Sequence, residues 1–170
     1  MGYVQTLAVT LTRRAAQALV KAVDETLDDR LFWQPLDQGR SILQQVIDCA
    51  LANLKWAQIL EHRAYGRLPR AYKEVAEIAL TTRTDALARL QETTDQLAEA
   101  IGAVGDHEVA RMLAIPGEDG VDLTVAEACL HSYWNMVYHE GQIRYIQSLY
   151  TDMDADAAPQ SPLLALAVPS

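Results

Sequence analysis

The sequence predicts an all-α protein, a four-helix bundle with a short extended insert before its last helix. Three observations predict it. Apolar residues recur at spacings of three and four along four long stretches, the period of a helix that buries one face. Two of those stretches open on a capping box, Ser41 with Gln44 and Thr124 with Glu127. Glycine and proline collect between the stretches, where they punctuate the chain. No internal repeat or linker divides the sequence. Residues 1–150 therefore form one bundle, followed by a tail, 151–170, that is first acidic and then apolar.

The first helix is read from Tyr3 to about Leu27, with Leu7, Ala8, Leu11, Ala15, Ala18, Leu19, Ala22 and Val23 in register. Leu31 to Gly39 is a connection whose aromatics, Phe32 and Trp33, are expected to fold back on the core. Pro35 disfavours helix for the residue before it. The second helix starts at Ser41 and should reach about Tyr65, where Gly66 and Pro69 stop it. Leu43, Val46, Ala50, Leu54 and Ala57 form its apolar face. Gln44, Asp48, Ala52, Lys55 and Ile59 project the other way.

A third helix is read from Tyr72 to Ile101, with Val75, Ile78, Ala79, Leu87, Leu90, Leu97 and Ile101 on its buried stripe. The run Thr81-Thr82-Arg83-Thr84 has poor helix propensity and is expected to break or bend it. Between Asp106 and Leu123 two brief extended segments flank the turn sequence Pro116-Gly117-Glu118-Asp119-Gly120. The last helix, Ala128 to Leu149, contains no proline. Its one glycine, Gly141, is tolerable where a neighbouring helix packs close. At 100° per residue, His131, Asn135, His139 and Gln142 fall within roughly 80° of one another, with Ile146 and Leu149 continuing the stripe. Glu140, Arg144 and Gln147 lie opposite, as solvent residues. Two imidazoles and two carboxamides therefore face the core, where they need partners, water or a metal.

Composition excludes several functions. Half of the 170 residues are apolar and 22% are charged, as in a globular protein. The net charge of −9 and the scatter of Arg13, Arg14, Arg67, Arg70 and Lys73 argue against nucleic-acid binding, which needs clustered cations. No stretch approaches the roughly 20 apolar residues that span a bilayer. The run Leu7–Leu11 lacks the length and cleavage pattern of a secretory signal. Met1-Gly2 with Thr6 fits the short myristoylation pattern only formally. The two cysteines, Cys49 and Cys129, read as small buried hydrophobes in helix interiors, and the expected setting is the reduced cytoplasm.

Read in this way, the chain resembles the DinB-like family of four-helix bundles, which also includes thiol-dependent transferases and mycothiol-dependent isomerases. Gly39-Arg40-Ser41-Ile42 opens the second helix as that family's G-x-S/T-hydrophobic start does. His139-Glu140-Gly141-Gln142-Ile143 matches its H-x-G-Q-I signature. Trp33-Gln34-Pro35, the spacing between these points and the extended insert agree as well. The resemblance covers nearly the whole chain to about Tyr150.

That resemblance implies a divalent metal held by three histidines, one in the second helix and two spaced i and i+4 in the last. Here the last position is His139, the one before it falls on Asn135, and the second-helix position falls on Asp48, so two of three depart from the pattern. His131 could substitute only if the helix shifted, because eight residues span about 12 Å of rise. Two readings stay open. In one, Asp48, Asn135 and His139 hold a divalent transition metal (zinc, nickel, manganese or iron), with His131 and Gln142 lining the pocket of a hydrolase or thiol transferase acting on a small molecule. In the other, the same side chains hydrogen-bond to one another or to water without metal, and the protein is a small-ligand-binding or interaction module. Taken by itself Asp48 is a solvent carboxylate. A homodimer is expected in either case.

Other histidine patterns carry less. His139-Glu140 begins like a zinc-protease H-E-x-x-H, but Ile143 occupies the second histidine's place. His107 and His62 read as surface residues. Trp56, Trp134, Tyr133, Tyr138 and Tyr145 are either core or pocket lining.

Overall fold

The structure, a computed structural model, describes residues 1–35, 38–64, 82–114 and 122–149. Four long helices dominate it: α1 (Tyr3–Asp24), α2 (Ile42–His62), α3 (Arg83–Gly102) and α4 (Val125–Ser148). Single 3-10 turns at Asp28–Arg30 and Asp106–Glu108 follow α1 and α3. Two three-residue strands, β1 (Met112–Ala114) and β2 (Asp122–Thr124), pair antiparallel with Leu113 opposite Leu123 just before α4. The extended insert and the four-helix architecture are thus as the sequence predicts. Among the described residues no helix is long and apolar enough to cross a membrane.

Each of α1 and α2 packs on both α3 and α4. The first two helices therefore face one another across the bundle, and so do the last two. This arrangement explains several departures from simple stripe reading. A helix with two neighbours buries a wider arc than one apolar stripe, so Ile59, expected on the outer side of α2, is buried. Arg144 and Gln147, expected in solvent, lie on the seam with α1. Gln147 Nε2 donates to Ala22 O at 2.7 Å and to Thr26 Oγ1 at 2.9 Å. Arg144 pairs with Glu140 at 2.9 Å and reaches across to Glu25.

Helix ends follow local chemistry. Ser41 and Thr124 close the two predicted capping boxes, each accepting from the N–H three residues on. Thr82 caps α3 by accepting from Asp85 N, so the threonine-rich run marks a helix start. The earlier part of the expected third helix, 72–81, lies outside the described residues, as do Gly66, Pro69, the turn 116–120 and the tail 151–170. α2 ends at His62, where Arg63 adopts a left-handed conformation (φ 52°) in place of the expected glycine stop. The Arg63 guanidinium makes two hydrogen bonds to Glu108, at 2.9 and 2.7 Å, which tie the end of α2 to the turn after α3. α1 stops at Asp24, three residues before the expected end, and Leu27 is exposed. Trp33 packs against the core as anticipated, but Phe32 points outward and Leu31 takes the buried place.

The glycine of the last helix needs a different explanation from the one its sequence suggests. Gly141 lies on the exposed face of α4, and a Cβ built there would meet nothing within 4 Å. No helix packs against it among the described residues. Trp134, Tyr138 and Tyr145 share that exposed face, and Leu149 at the end of the expected stripe is also exposed.

Candidate functional site

The site lies where α2 and α4 run alongside one another. His139 is buried within it, 5% exposed. Its Nδ1–H donates to Gln142 Oε1 at 2.9 Å and is shared with Gln45 Oε1 at 3.3 Å. Gln45 is in turn held by a long 3.5 Å bond from its Nε2 to Arg40 O, just outside the N-terminus of α2. Two carboxamide oxygens on Nδ1 fix both the ring orientation and the tautomer, so Nε2 carries the free lone pair. Burial holds the His139 pKa below the ordinary histidine range. The Asp48 charge and the Gln142 bond oppose that shift, and Arg40 adds to it.

One turn before His139, Asn135 is half-buried and its Oδ1 has no hydrogen-bond partner. On α2, Asp48 is partly exposed and its carboxylate is engaged by the Arg40 guanidinium. The electrostatic influence of Asp48 on His139 places these two groups in one neighbourhood. Among the described residues no three His, Cys, Asp or Glu side chains gather as a metal-binding group.

His131 takes part in a separate set of contacts. Its ring stacks on Trp56 from α2, with centroids 4.2 Å apart and planes at 27°, and meets Trp134 edge-on at 6.1 Å. Its Nδ1 is buried without a partner. Burial, then the nearby Lys55 cation, which also sits 5.8 Å over the Trp56 ring, lower its pKa. Trp134 stacks on Tyr138 at 5.9 Å, and Tyr138 meets the His139 ring edge-on at 5.4 Å. An aromatic chain thus links the two histidines along α4, while α2 faces it with Asp48 near one end and Trp56 at the other.

Of the residues singled out in the sequence, the structure joins His139 to Gln142 and brings the Asp48 charge to bear on His139. Sequence reasoning missed Gln45 and the role of Arg40. Gln45 could have been found, since it lies three residues before Asp48 and shares its side of the helix. Arg40 could not, because it precedes the N-cap and helical spacing does not govern where its side chain goes.

Comparison with known proteins decides the family. The DinB superfamily model matches residues 11–143, which is most of the chain. The chain belongs to the DinB superfamily. No curated protein matches it significantly. Among solved structures it is similar to YfiT from Bacillus subtilis, described as a probable metal-dependent hydrolase with an unusual four-helix bundle topology. That likeness has 17% identity, a TM-score of 0.68, and covers 85% of this chain and 86% of YfiT. A conserved protein from Enterococcus faecalis gives the same TM-score at 13% identity, over 88% of this chain and 98% of its own. At such identities the likeness establishes the DinB-type fold, and the site must be argued from this chain's own residues.

Proposed function

We propose that this DinB-superfamily protein is a metal-dependent hydrolase of a small molecule, with Asp48, Asn135 and His139 as the ion's protein donors. The observation that carries the reading is the double hydrogen bond on His139 Nδ1. A metal-ligating histidine characteristically gives its other ring N–H to an oxygen acceptor, which orients the ligating nitrogen and raises its basicity. Two donated bonds to carboxamides, beside a buried Asn135 Oδ1 without a partner, suit that role. One imidazole, one carboxylate and one carboxamide make a mixed N/O set. That set favours manganese or a weakly held zinc over the tight binding of three histidines. A bound ion with an open position would supply an activated water and a Lewis acid for a carbonyl. The chain's own part is to keep His139 neutral, to position Nε2 and to place the substrate against the Trp134–Tyr138 wall. The YfiT description favours hydrolysis over thiol transfer. A homodimer belongs to the same proposal and is checked by sedimentation velocity of the wild-type protein.

A second reading rests on the Arg40–Asp48 ion pair. There the guanidinium supplies the positive charge at Asp48, no ion is bound, and the pocket holds a small ligand directly. Elemental analysis of protein purified without a metal-binding tag separates the two. About one transition ion per chain, lost in His139→Ala, supports the hydrolase. No ion in wild type, even after incubation with manganese, zinc and nickel, sinks it and leaves the binding pocket.

A further inference from the structure

The apolar core is not continuous. One cluster contains Ala15, Leu19, Val46, Cys49, Leu90 and Met136 among others, and a second contains Ala8, Trp56, Leu60, Leu97, Ala128 and Cys129. On each of the four described long helices the switch from one cluster to the other is marked by a buried polar residue. In α1 it is Thr12, between Ala8 and Ala15. In α2 it is Asn53, between Cys49 and Trp56. In α3 it is the pair Thr93 and Thr94, between Leu90 and Leu97, and in α4 it is Ser132, between Cys129 and Met136. All five are at most 1% exposed. A polar layer therefore crosses the bundle.

The layer is only half satisfied by the protein. Asn53 Nδ2 donates to Thr94 Oγ1 at 3.1 Å, and Thr94 gives its hydroxyl hydrogen to Leu90 O at 2.7 Å. Thr93 likewise returns to carbonyls of its own helix, and so does the buried Thr26. Thr12 Oγ1 and Ser132 Oγ make no such return, and Asn53 Oδ1 also lacks a partner. Three helices thus each contribute one buried, unpartnered polar atom to the same level of the fold. Buried polar atoms in native proteins are paired, and where the protein supplies no partner ordered water does, typically through two to four bonds. We infer that the polar layer is a built internal water site, in which Thr12 Oγ1, Asn53 Oδ1 and Ser132 Oγ share ordered water. The site is distinct from the proposed metal pocket and does not depend on it. It abuts that pocket along α4, since Ser132 is followed three residues on by Asn135, whose Oδ1 is also unpartnered.

The test is water–protein cross-relaxation on the isotopically labelled full chain. Long-lived water contacts to the side chains of Thr12, Asn53 and Ser132 are expected, with the sign of bound rather than surface water. Ser132→Ala should then weaken the contacts at Thr12 and Asn53, which are remote in sequence, because the water is shared. Absence of long-lived water at these resolved signals in wild type overturns the inference. So does a Ser132→Ala variant, folded by its amide spectrum, that leaves the Thr12 and Asn53 contacts unchanged. If that variant does not fold, Thr12→Val is read the same way through Asn53 and Ser132.

Discussion

Replacing Arg40 by glutamine should tighten divalent-metal binding. The side chain is 62% exposed and Asp48 31%, so the water-like dielectric is the appropriate limit for their charges. In that limit two unit charges at about 4 Å interact by ~1 kcal/mol, and a divalent ion doubles the repulsion that Arg40 exerts on it. Screening at physiological salt takes part of this away, leaving roughly 1–2 kcal/mol. Because every 1.4 kcal/mol is about a factor of ten, Arg40→Gln should bind manganese or zinc roughly tenfold more tightly. Calorimetric titration of the metal-free protein measures it directly. Arg40→Lys keeps the charge and should stay near wild type. In Asp48→Asn the gain from removing Arg40 should shrink, as a double-mutant cycle would show. Wild type that binds metal with an affinity Arg40→Gln leaves unchanged would refute the competition argument while sparing the metal site. If neither protein binds, the metalloenzyme reading itself is wrong.

Other predictions concern the surroundings of the site. Gln142→Leu removes the shorter of the two acceptors on His139 Nδ1 and should cost about 10- to 100-fold in metal affinity, as loss of an outer-shell partner generally does; an unchanged titration would mean Gln45 alone suffices. Gly141→Ala should stabilise the fold by about 0.5–1 kcal/mol, because the position is helical, exposed and free of contacts, and thermal unfolding should rise by roughly 2–4 °C per kcal/mol. A drop in melting temperature would show that another part of the chain or a second copy packs on that face. Acidification should destabilise the protein. His131 and His139 have folded pKa values below the unfolded ~6.5, so above that pH both states are neutral, and below it the unfolded chain takes up protons first. Stability should fall from pH 6.5 towards the folded pKa values, and denaturant titrations at pH 7.5 and 5.5 in chelator should show less of this loss in His131→Phe. Arg63 holds Glu108 down to about 2, so its share of stability is present above the ordinary carboxylate pKa and is lost as pH falls towards 2. Neither thiol should react with an aromatic disulfide in the native state at pH 8, since burial pushes Cys129 up to about 11 and Cys49 further; modification at the unfolded rate would contradict their burial.

The sequence carried most of the fold because its decisive features are local. The capping boxes at Ser41 and Thr124, the two short strands β1 and β2 and the register of Leu90, Leu97 and Ile101 depend on neighbours within a turn or two. What it could not carry is which helices meet. A stripe argument assumes one partner per helix, so it exposed Ile59, Arg144 and Gln147, which the two-neighbour geometry buries or pairs. It also gave Gly141 a packing role on a face that has no neighbour among the described residues. In the site, His139 and Gln142 were legible as an i, i+3 pair. The contacts of His131 with Trp56 and of Gln45 with His139 cross between helices 75 and 94 residues apart in sequence and have no local trace.

The proposed donor set, Asp48, Asn135 and His139, poses a charge problem. Three neutral histidines around a divalent ion leave the site with the ion's full charge. Aspartate in place of one of them lowers that by one unit and, without an ion, leaves a carboxylate between two helices. Arg40 answers the second condition. It engages Asp48 from outside the helix register and can swing away, because most of its side chain is in solvent. His139 answers the first, since burial keeps it neutral and its Nδ1–H is already committed to two oxygens. On the proposed reading, Arg40, Asp48 and neutral His139 together carry no net charge, and an ion would add positive charge. Charge compensation of this kind predicts reversible, salt-sensitive metal binding instead of a permanent structural ion. Repeating the titration of wild type at two ionic strengths tests that. Higher salt weakens the Arg40–Asp48 pair and screens the ion alike, so affinity should fall less steeply in wild type than in Arg40→Gln, where only the attraction to Asp48 remains to be screened. Parallel slopes would mean that Arg40 and the ion do not share Asp48.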